Sequence, residues 1–578
     1  MAPADLNQTR ILVLRGDMKV LRILEKPSWR EMVWGALSGV MLLFAFPSDA
    51  MLLLARIAGK SQAASAGAWP LAWLALVPLL RLCAASPRRS VVPAYLAGLI
   101  WFVGGLAWVR HATVAGFLLL GPFLALYVVA FALTTGVLRR HTRLPLAIVA
   151  PFVWVTLEAV RSNVMTGFPY LLLGHTQIAN LRLMQILDVT GVYGVSFIIV
   201  AVNALLAEFP LLIDRNLRRA VESRTDLRFS PKAFAVSLAA VVCALAGLLV
   251  YGTVRIDTLE THPGPEVCLV QGNVEQDVKI QWTAEMRTDV LDSYRKLTAR
   301  VIEEAAGDNP LLIWPESSVP GFYNERDPAL RDCIAGLLRD LKFERMLIGM
   351  NYAEVVEAQA GPNAEPEIKL LNSALYLDGN PYSLGSIERY DKMHLVPFGE
   401  YVPLSKLLFF VKNVVDYVGV FSPGTEYKLF EHDGCPFAAV ICYEDVFPGL
   451  VRRFAGRGAR FMVNISNEGW FFRSAELDQH LQIARCRAIE NRVGMVRCTN
   501  SGISCLIDPA GRVEKVIADS DGNTKLVAGW LAGRVTLGSG SPTFYTRYGD
   551  VFAIGCIAAM LALCVGAWIA SRRRPRGA

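Results

Sequence analysis

The 578-residue chain is predicted to combine a multi-span α-helical membrane domain with an α/β layered domain. Three observations predict this. Of its residues 53% are hydrophobic and 19% charged, against about 45–50% and about 25% in soluble proteins. The apolar excess falls in runs long enough to cross a bilayer, which takes about 20 mostly apolar residues. Between residues 252 and 550 the pattern changes to short apolar runs alternating with helical periodicity, the pattern of an α/β layered domain.

Eight candidate spans lie near residues 29–47, 67–84, 91–110, 115–138, 144–162, 186–208, 233–251 and 551–571. The first follows Arg10, Arg15, Lys19, Arg22, Lys26 and Arg30, and no Ala-x-Ala site follows its apolar run Val33–Phe46. It reads as an anchor rather than a cleavable signal. The second is weak, because Pro70 and Pro78 flank a short run. The fifth holds Glu158 and Arg161 one helical turn apart. Charges inside a span are costly unless paired or wet, so a buried Glu158–Arg161 pair or a polar cavity is expected. Basic residues gather in the N-terminus, Arg81–Arg89, Arg139–Arg143, Arg215–Lys232 and Arg572–Arg576, after alternate spans. Short loops rich in Lys and Arg stay in the cytoplasm. The expected order is a cytoplasmic segment 1–28, a seven-helix membrane domain 29–251, an extracytoplasmic domain 252–550, an eighth span 551–571 and a basic cytoplasmic tail 572–578. The net charge of +7 resides mostly in those loops, so nucleic-acid binding is not expected. Eleven scattered cysteines include no Cys-x-x-Cys pair or Cys/His spacing, which argues against a disulfide scaffold and a zinc site.

Within 252–550, the runs Glu266–Gly272, Pro310–Pro315, Arg345–Asn351, Asn372–Asp378, Pro436–Cys442 and Arg460–Asn464 read as buried strands. In Ala284–Ala305, residues Val290, Leu291, Tyr294, Leu297, Val301 and Ile302 recur at spacings of three and four, an amphipathic helix. Ala329–Leu341 and Ala475–Arg492 behave alike, and Glu354–Glu367 reads as a solvated loop.

Three strand ends carry candidate chemistry, where α/β sheets commonly build their sites. In LLIWPESSVP, Glu316 follows Trp314-Pro315. A carboxylate there can serve as a general base, or simply cap a turn. In RYDKMHLVPFGEYVP, Lys392 sits among aromatic and apolar residues before a turn carrying Glu400. A partly buried Lys can support an oxyanion, whereas most lysines are surface residues. His394 offers a His–Cys dyad or a structural role, the second being favoured. In PFAAVICYEDVFP, Cys442 stands between a strand and an expected helix, with Tyr443 and Glu444 next. Thiolates are stabilised at such helix starts and beside cations; a buried structural Cys is the plainer alternative.

Taken in the order Glu, Lys, Cys, these segments resemble the nitrilase superfamily, and NISNEGWF, HLQIARCRAIENR and TNSGIS agree with it. With the spans, and with MTGFPYLLLGHTQ and GVYGVSF, the chain is similar to the membrane-embedded apolipoprotein N-acyltransferase branch. The resemblance implies an αββα sandwich, with Glu316 as general base, Lys392 as oxyanion support and Cys442 as nucleophile. It also implies supporting roles for Glu400, Tyr443, Glu444, Asn372, Trp282 and Trp470. One departure is Glu468, where many members have Asp, which bears on loop geometry. The resemblance further implies an acyl chain passing from a phospholipid to Cys442 as a thioester, then to the α-amine of a diacylglyceryl apolipoprotein. The enzyme is expected to be a multi-pass protein of the bacterial inner membrane, with its catalytic domain in the periplasm, acting as a monomer without metal or cofactor. The apolar segments Leu407–Val411 and Val414–Phe421 could dip into lipid or pack on the domain itself. The rival readings are a membrane-anchored amidase or hydrolase on the same triad, and a transporter or scaffold with a dead domain.

Overall fold

Helix caps and prolines set the boundaries of the first helices. In this computed structural model the described residues are 25–57, 66–224, 229–275, 284–305, 309–319, 321–324, 336, 345–356, 367–378, 387–401 and 421–572. Ser28 caps α1 (Trp29–Ala45) in a reciprocal box with Glu31, so two otherwise orphaned donors are satisfied. After Phe46-Pro47 the chain turns by 74° into α2 (Asp49–Ile57), so the first expected span is a bent pair. The weak second candidate is also broken, into a 3₁₀ turn at Trp69–Trp73 and α3 (Val77–Ala85). Pro70 and Pro78 lie in the first turns of these two pieces, where a missing N–H costs nothing. Next come α4 (Val91–Gly105), α5 (Val114–Thr142), α6 (Leu146–Asn163), α7 (Val192–Ile213) and α8 (Pro231–Asp257). Among the described residues five helices, α5 to α8 and the C-terminal Val551–Arg572, are long and apolar enough to cross a membrane, or six with the bent pair. At 15 residues, α4 falls short of a full span.

Glu158 and Arg161, expected as a buried pair or a polar cavity, are both buried and attract each other, but among the described residues they make no direct ion pair. Glu158 Oε1 accepts from Trp154 Nε1 at 2.9 Å and from the Leu173 N–H at 2.7 Å. Arg161 donates to the carbonyls of Tyr170 at 2.6 Å and Leu171 at 3.2 Å. Both tie down the buried loop that follows α6, whose backbone groups would otherwise lack partners in an apolar setting.

The second domain begins with β1 (Thr261–Gln271), α9 (Ala284–Glu304), β2 (Leu311–Trp314), β3 (Phe322–Tyr323), β4 (Arg345–Val356), β5 (Glu367–Asp378) and β6 (Ile387–Asp391). It continues with β7 (Phe430–His432), β8 (Cys435–Ile441), α10 (Pro448–Gly456), β9 (Phe461–Ser466), α11 (Glu476–Asn491), β10 (Gly494–Thr499), β11 (Cys505–Ile507), β12 (Val513–Val516) and β13 (Gly529–Gly538). One sheet runs β13–β1–β2–β4–β5–β6, with β3 beside β4; the other runs β12–β11–β10–β9–β8–β7. Alternation along the strands separates two cores. Val267, Leu269, Leu311, Ile313, Leu347 and Ala374 point to the second sheet, in one cluster with Phe437, Ala439 and Val463. Their neighbours Cys268, Val270, Leu312, Trp314 and Met346 point the other way, onto Val290, Tyr294 and Val301 of α9. Sheets covered on both faces need near-continuous apolar strands, which is what the sequence shows. The result is the αββα sandwich. The expected helix Ala329–Leu341 and the loop Glu354–Glu367 lie largely outside the described residues.

The sandwich is seated on the membrane helices through α11. Gln479 accepts from Trp108 Nε1 at 3.1 Å and donates to the carbonyls of Pro47 and Gly105 at 2.8 and 2.9 Å. Arg492, just beyond α11, donates to Asp188 at 2.8 Å and to Gln185 at 2.5 Å.

Candidate active site

Glu316 follows β2 at a turn in which Ser317 has a left-handed φ of 52°. The turn lies directly over β4: a Cβ on Gly349 would come within 2.5 Å of the Glu316 Cα. No real side chain fits there, so glycine lets the carboxylate enter the site. Glu316 Oε1 accepts from Asn372 Nδ2 at 2.7 Å, and Oε2 accepts from the Asn467 N–H at 2.8 Å. Asn372 comes from β5 and Asn467 follows β9, so both sheets orient one carboxylate.

Lys392 follows β6, and its own N–H donates to the Asn372 carbonyl at 2.8 Å. Its Nζ lies 2.9 Å from Glu400 Oε1 and 3.4 Å from Glu316 Oε1. Glu400 also accepts from Asn372 Nδ2 at 2.8 Å and, through Oε2, from the Val396 N–H at 2.8 Å. Burial alone would discharge this ammonium, but Glu400 and then Glu316 outweigh it and hold the Lys392 pKa above the ordinary lysine value. The lysine therefore stays charged in a dry place.

Cys442 opens a 3₁₀ turn, Cys442–Val446, at the end of β8. Its φ is 52°, a conformation that costs a non-glycine residue on the order of 1–3 kcal/mol and persists only when the surroundings impose it. Here they do. The Asn464 amide donates to the Cys442 carbonyl at 3.1 Å. Glu444 accepts four bonds: Tyr390 Oη at 2.8 Å, the N–H groups of Met393 and His394 at 2.7 and 3.1 Å, and that of Ile441 at 2.8 Å. One carboxylate thus fastens the cysteine turn to the lysine loop, and burial pushes it up to about 7 against those donors. Burial and the Glu316 carboxylate push the Cys442 thiol well above the ordinary range, while Lys392 and the Ser466 hydroxyl pull it back.

Of the other expected site residues, Tyr443 reaches the Gly167 carbonyl of the membrane domain at 3.5 Å and lies parallel to Tyr170, ring centroids 6.2 Å apart. Trp470 sits in the 3₁₀ turn Glu468–Phe471 and is 37% exposed. Trp282 lies outside the described residues, as do Leu407–Val411 and all of Val414–Phe421 but Phe421. His394 bonds the Thr166 carbonyl at 3.1 Å and stacks on Phe447 with centroids 3.6 Å apart, which is a structural placement. Cys498 and Cys505 are buried free thiols.

Behind the cysteine turn lies a network that motif reading misses. His480 meets Asp445 at 2.5 Å through Nε2 and Glu468 at 2.8 Å through Nδ1. Arg497 binds Asp445 at 3.1 Å and also Glu468. Glu476 lies 3.4 Å from His480 Nδ1 and accepts from Tyr170 Oη at 3.1 Å. All five charged groups are buried. Glu468, the departure from the family's Asp, therefore belongs to this network. The only advance signal was the polar density of HLQIARCRAIENR.

A family model described as apolipoprotein N-acyltransferase N-terminal domain matches residues 38–205, and the carbon-nitrogen hydrolase model matches residues 269–528. The apolipoprotein N-acyltransferase of Geobacter metallireducens is 36% identical over 560 residues, covering 94% of this chain and 96% of the relative. That of Bradyrhizobium diazoefficiens is 32% identical, covering 84% and 87%, and that of Rhodopseudomonas palustris 30% identical, covering 93% and 98%. Among solved structures, a mutant of the Nesterenkonia AN1 amidase from the nitrilase superfamily matches at a TM-score of 0.35 and 18% identity, over 52% of this chain and 99% of that one.

Proposed function

This chain belongs to the apolipoprotein N-acyltransferase family, membrane acyltransferases carrying a carbon-nitrogen hydrolase domain, and from that premise we propose that it moves an acyl chain from a phospholipid to an apolipoprotein through a thioester on Cys442. The acceptor is the α-amine of an N-terminal S-diacylglyceryl-cysteine. One observation carries the reading: Glu316, Lys392 and Cys442 converge from three strand ends, with Lys392 Nζ 3.4 Å from Glu316 Oε1.

A raised thiol pKa means that no thiolate stands ready at neutral pH, so the proton leaves as the bond forms. Glu316 takes the Sγ proton while Sγ attacks the ester carbonyl. Lys392 faces the developing oxyanion, where a fixed charge in a dry site is most effective. The S–C bond forms, the ester C–O bond breaks, and the lysophospholipid hydroxyl leaves with the proton held by Glu316. In the second half the amine nitrogen attacks the thioester. The N–C bond forms, the S–C bond breaks, and the amine proton returns to sulfur by way of Glu316. One covalent intermediate serving two substrates gives ping-pong kinetics.

Glu400 and Asn372 position the lysine and the base, and Glu444 positions the cysteine turn. Tyr443, Trp470 and Trp282 are assigned to the substrate side. Contacts of His394 and Tyr443 with Thr166 and Gly167 support a thiol held at the junction with the membrane helices, within reach of lipid esters. The Lys/Arg distribution supports a periplasmic catalytic domain, 252–550, and cytoplasmic termini. A monomer suffices, since the residues named come from one chain.

The test is to incubate the purified protein with a phospholipid labelled in its acyl chain, quench in acid and search Cys442 for label by mass spectrometry, with Cys442→Ser as control. A hydroxylamine-sensitive adduct that chases onto a diacylglyceryl peptide supports transfer. An adduct discharged only to water would sink it in favour of a hydrolase, and no adduct at all in lipid-supplemented protein would leave a scaffold.

A further inference from the structure

A cavity of about 440 Å³ lies where α2 and the turn around Ile178 meet α11 and the loop at Lys525. Four cationic side chains line it, Arg56, Arg473, Arg485 and Lys525, against one carboxylate, Asp478. Asp478 is already bonded to Lys525. Among the described residues none of the three arginines makes a direct ion pair; Asp519 and Asp508 attract Arg473 and Arg485 only from farther away. Arg485 is half-buried and its nitrogens donate only to the carbonyls of Gly511 at 2.7 Å and Ile178 at 3.4 Å. A cation withdrawn from water without a directly bonded counter-ion is costly, and an anion in the cavity would relieve that cost.

The cavity is not the cysteine site. Asp478, Leu481, Gln482 and Arg485 are spaced i, i+3, i+4 and i+7 along α11 and share one face. Glu476 and His480 lie on the opposite face, toward the Cys442 turn. The rim points to the source of the anion. On α2, Leu52 and Arg56 face the cavity one turn apart, whereas Leu53, Leu54 and Ile57 are 58%, 54% and 76% exposed. A short helix with a cation on one side and bare aliphatic side chains on the other lies in a lipid interface. It also leaves α1 at 74°, out of line with a span.

We propose that this cavity binds the phosphate of an anionic membrane phospholipid, as a second lipid site separate from the catalytic cysteine. The arginines take the phosphate oxygens, and the acyl chains run along the exposed face of α2. The site fixes the height of the catalytic domain over the bilayer.

The test measures binding of diether phosphatidylglycerol, which has no ester to attack, to the full-length protein in neutral micelles by native mass spectrometry. Diether phosphatidylcholine and inorganic phosphate are the comparison probes. Arg56→Gln/Arg473→Gln removes two exposed charges with little risk to folding. Each surface arginine near an anionic lipid is worth about a fivefold change in affinity, so the pair is expected to weaken one phosphatidylglycerol site by roughly thirtyfold. Phosphatidylcholine retention stays unchanged, and Arg56→Lys/Arg473→Lys restores most of the binding. Equal phosphatidylglycerol retention by wild type and the Gln variant overturns the proposal. So does displacement of the lipid by millimolar inorganic phosphate, which would make this a site for the free anion.

Discussion

At the scale of single residues, the site depends on buried charges whose partners are few and specific. His480 presents both ring nitrogens to carboxylates, so it is held as the imidazolium. Burial opposes that charge, yet Asp445 and its neighbours push the pKa up to about 10. Asp445, Glu468 and Glu476 outnumber Arg497 and His480, and the surplus settles on Glu476, which burial and Glu468 push up to about 8. Both groups bind protons more tightly folded than unfolded. The unfolded values are about 4.3 for Glu and about 6.5 for His, so each contributes stability that is lost as pH rises, Glu476 toward about 8 and His480 toward about 10. Thermal melts in detergent are expected to fall by roughly 5 °C between pH 6 and pH 9. Glu476→Gln should flatten the lower part of that slope. A melting temperature that is level or rising over this range would contradict the assignment. Glu316 and Cys442 were legible beforehand because each ends an apolar run, and Lys392 because its motif completes the Glu, Lys, Cys order of the family resemblance. Glu476 and His480 were not, because a charged residue within a helix reads as solvated until tertiary packing buries it.

At the scale of elements, near-continuous apolar strands were the easiest to read. Expected runs such as Arg345–Asn351 and Pro436–Cys442 became β4 and β8, with β4 extending to Val356. The strands β3, β6, β7, β10, β11, β12 and β13 were missed: β3, β7, β11 and β12 have four residues or fewer, and β6, β10 and β13 carry charged or glycine residues that break an apolar run, so pairing rather than local pattern forms them. Among the membrane helices, small residues set the approach. A Cβ on Gly39 of α1 would lie 2.7 Å from the Ala97 carbonyl oxygen and 2.9 Å from its Cα on α4, a close backbone contact of the small-residue type. Gly39→Val is therefore expected to cost about 1–3 kcal/mol through overpacking, read as a lower melting temperature and poorer recovery from detergent. Unchanged stability would show that the two helices separate freely.

At the scale of the whole molecule, two domains share one set of buried polar contacts. Arg492 is bonded to Asp188 and Gln185 across the junction, and Asp188 also holds Arg255 and Tyr251. Breaking a buried ion pair by removing one partner costs about 3–5 kcal/mol. Arg492→Met is expected at the low end, because Asp188 keeps its other partners. The variant should lose acyl transfer and gain protease cleavage between the domains together. Wild-type resistance with normal activity would show that the seat relies on Gln479 and the aromatic contacts instead.

Composition and periodicity by themselves determined that this chain has apolar helices joined to a layered α/β domain, and the resemblance of its motifs to a known family singled out the Glu, Lys and Cys. These are properties of local pattern: the length of an apolar run, a period of two or of 3.6, and a reactive residue at the end of a strand. Only the tertiary structure decided that α1 and α2 form a bent pair, that Glu158 and Arg161 bond a loop without a direct ion pair between them, and that the Asp445–His480–Glu468 network stands behind the Cys442 turn. Partner choice among buried charges depends on which long-range neighbours fill the remaining space, and no sequence spacing carries that information.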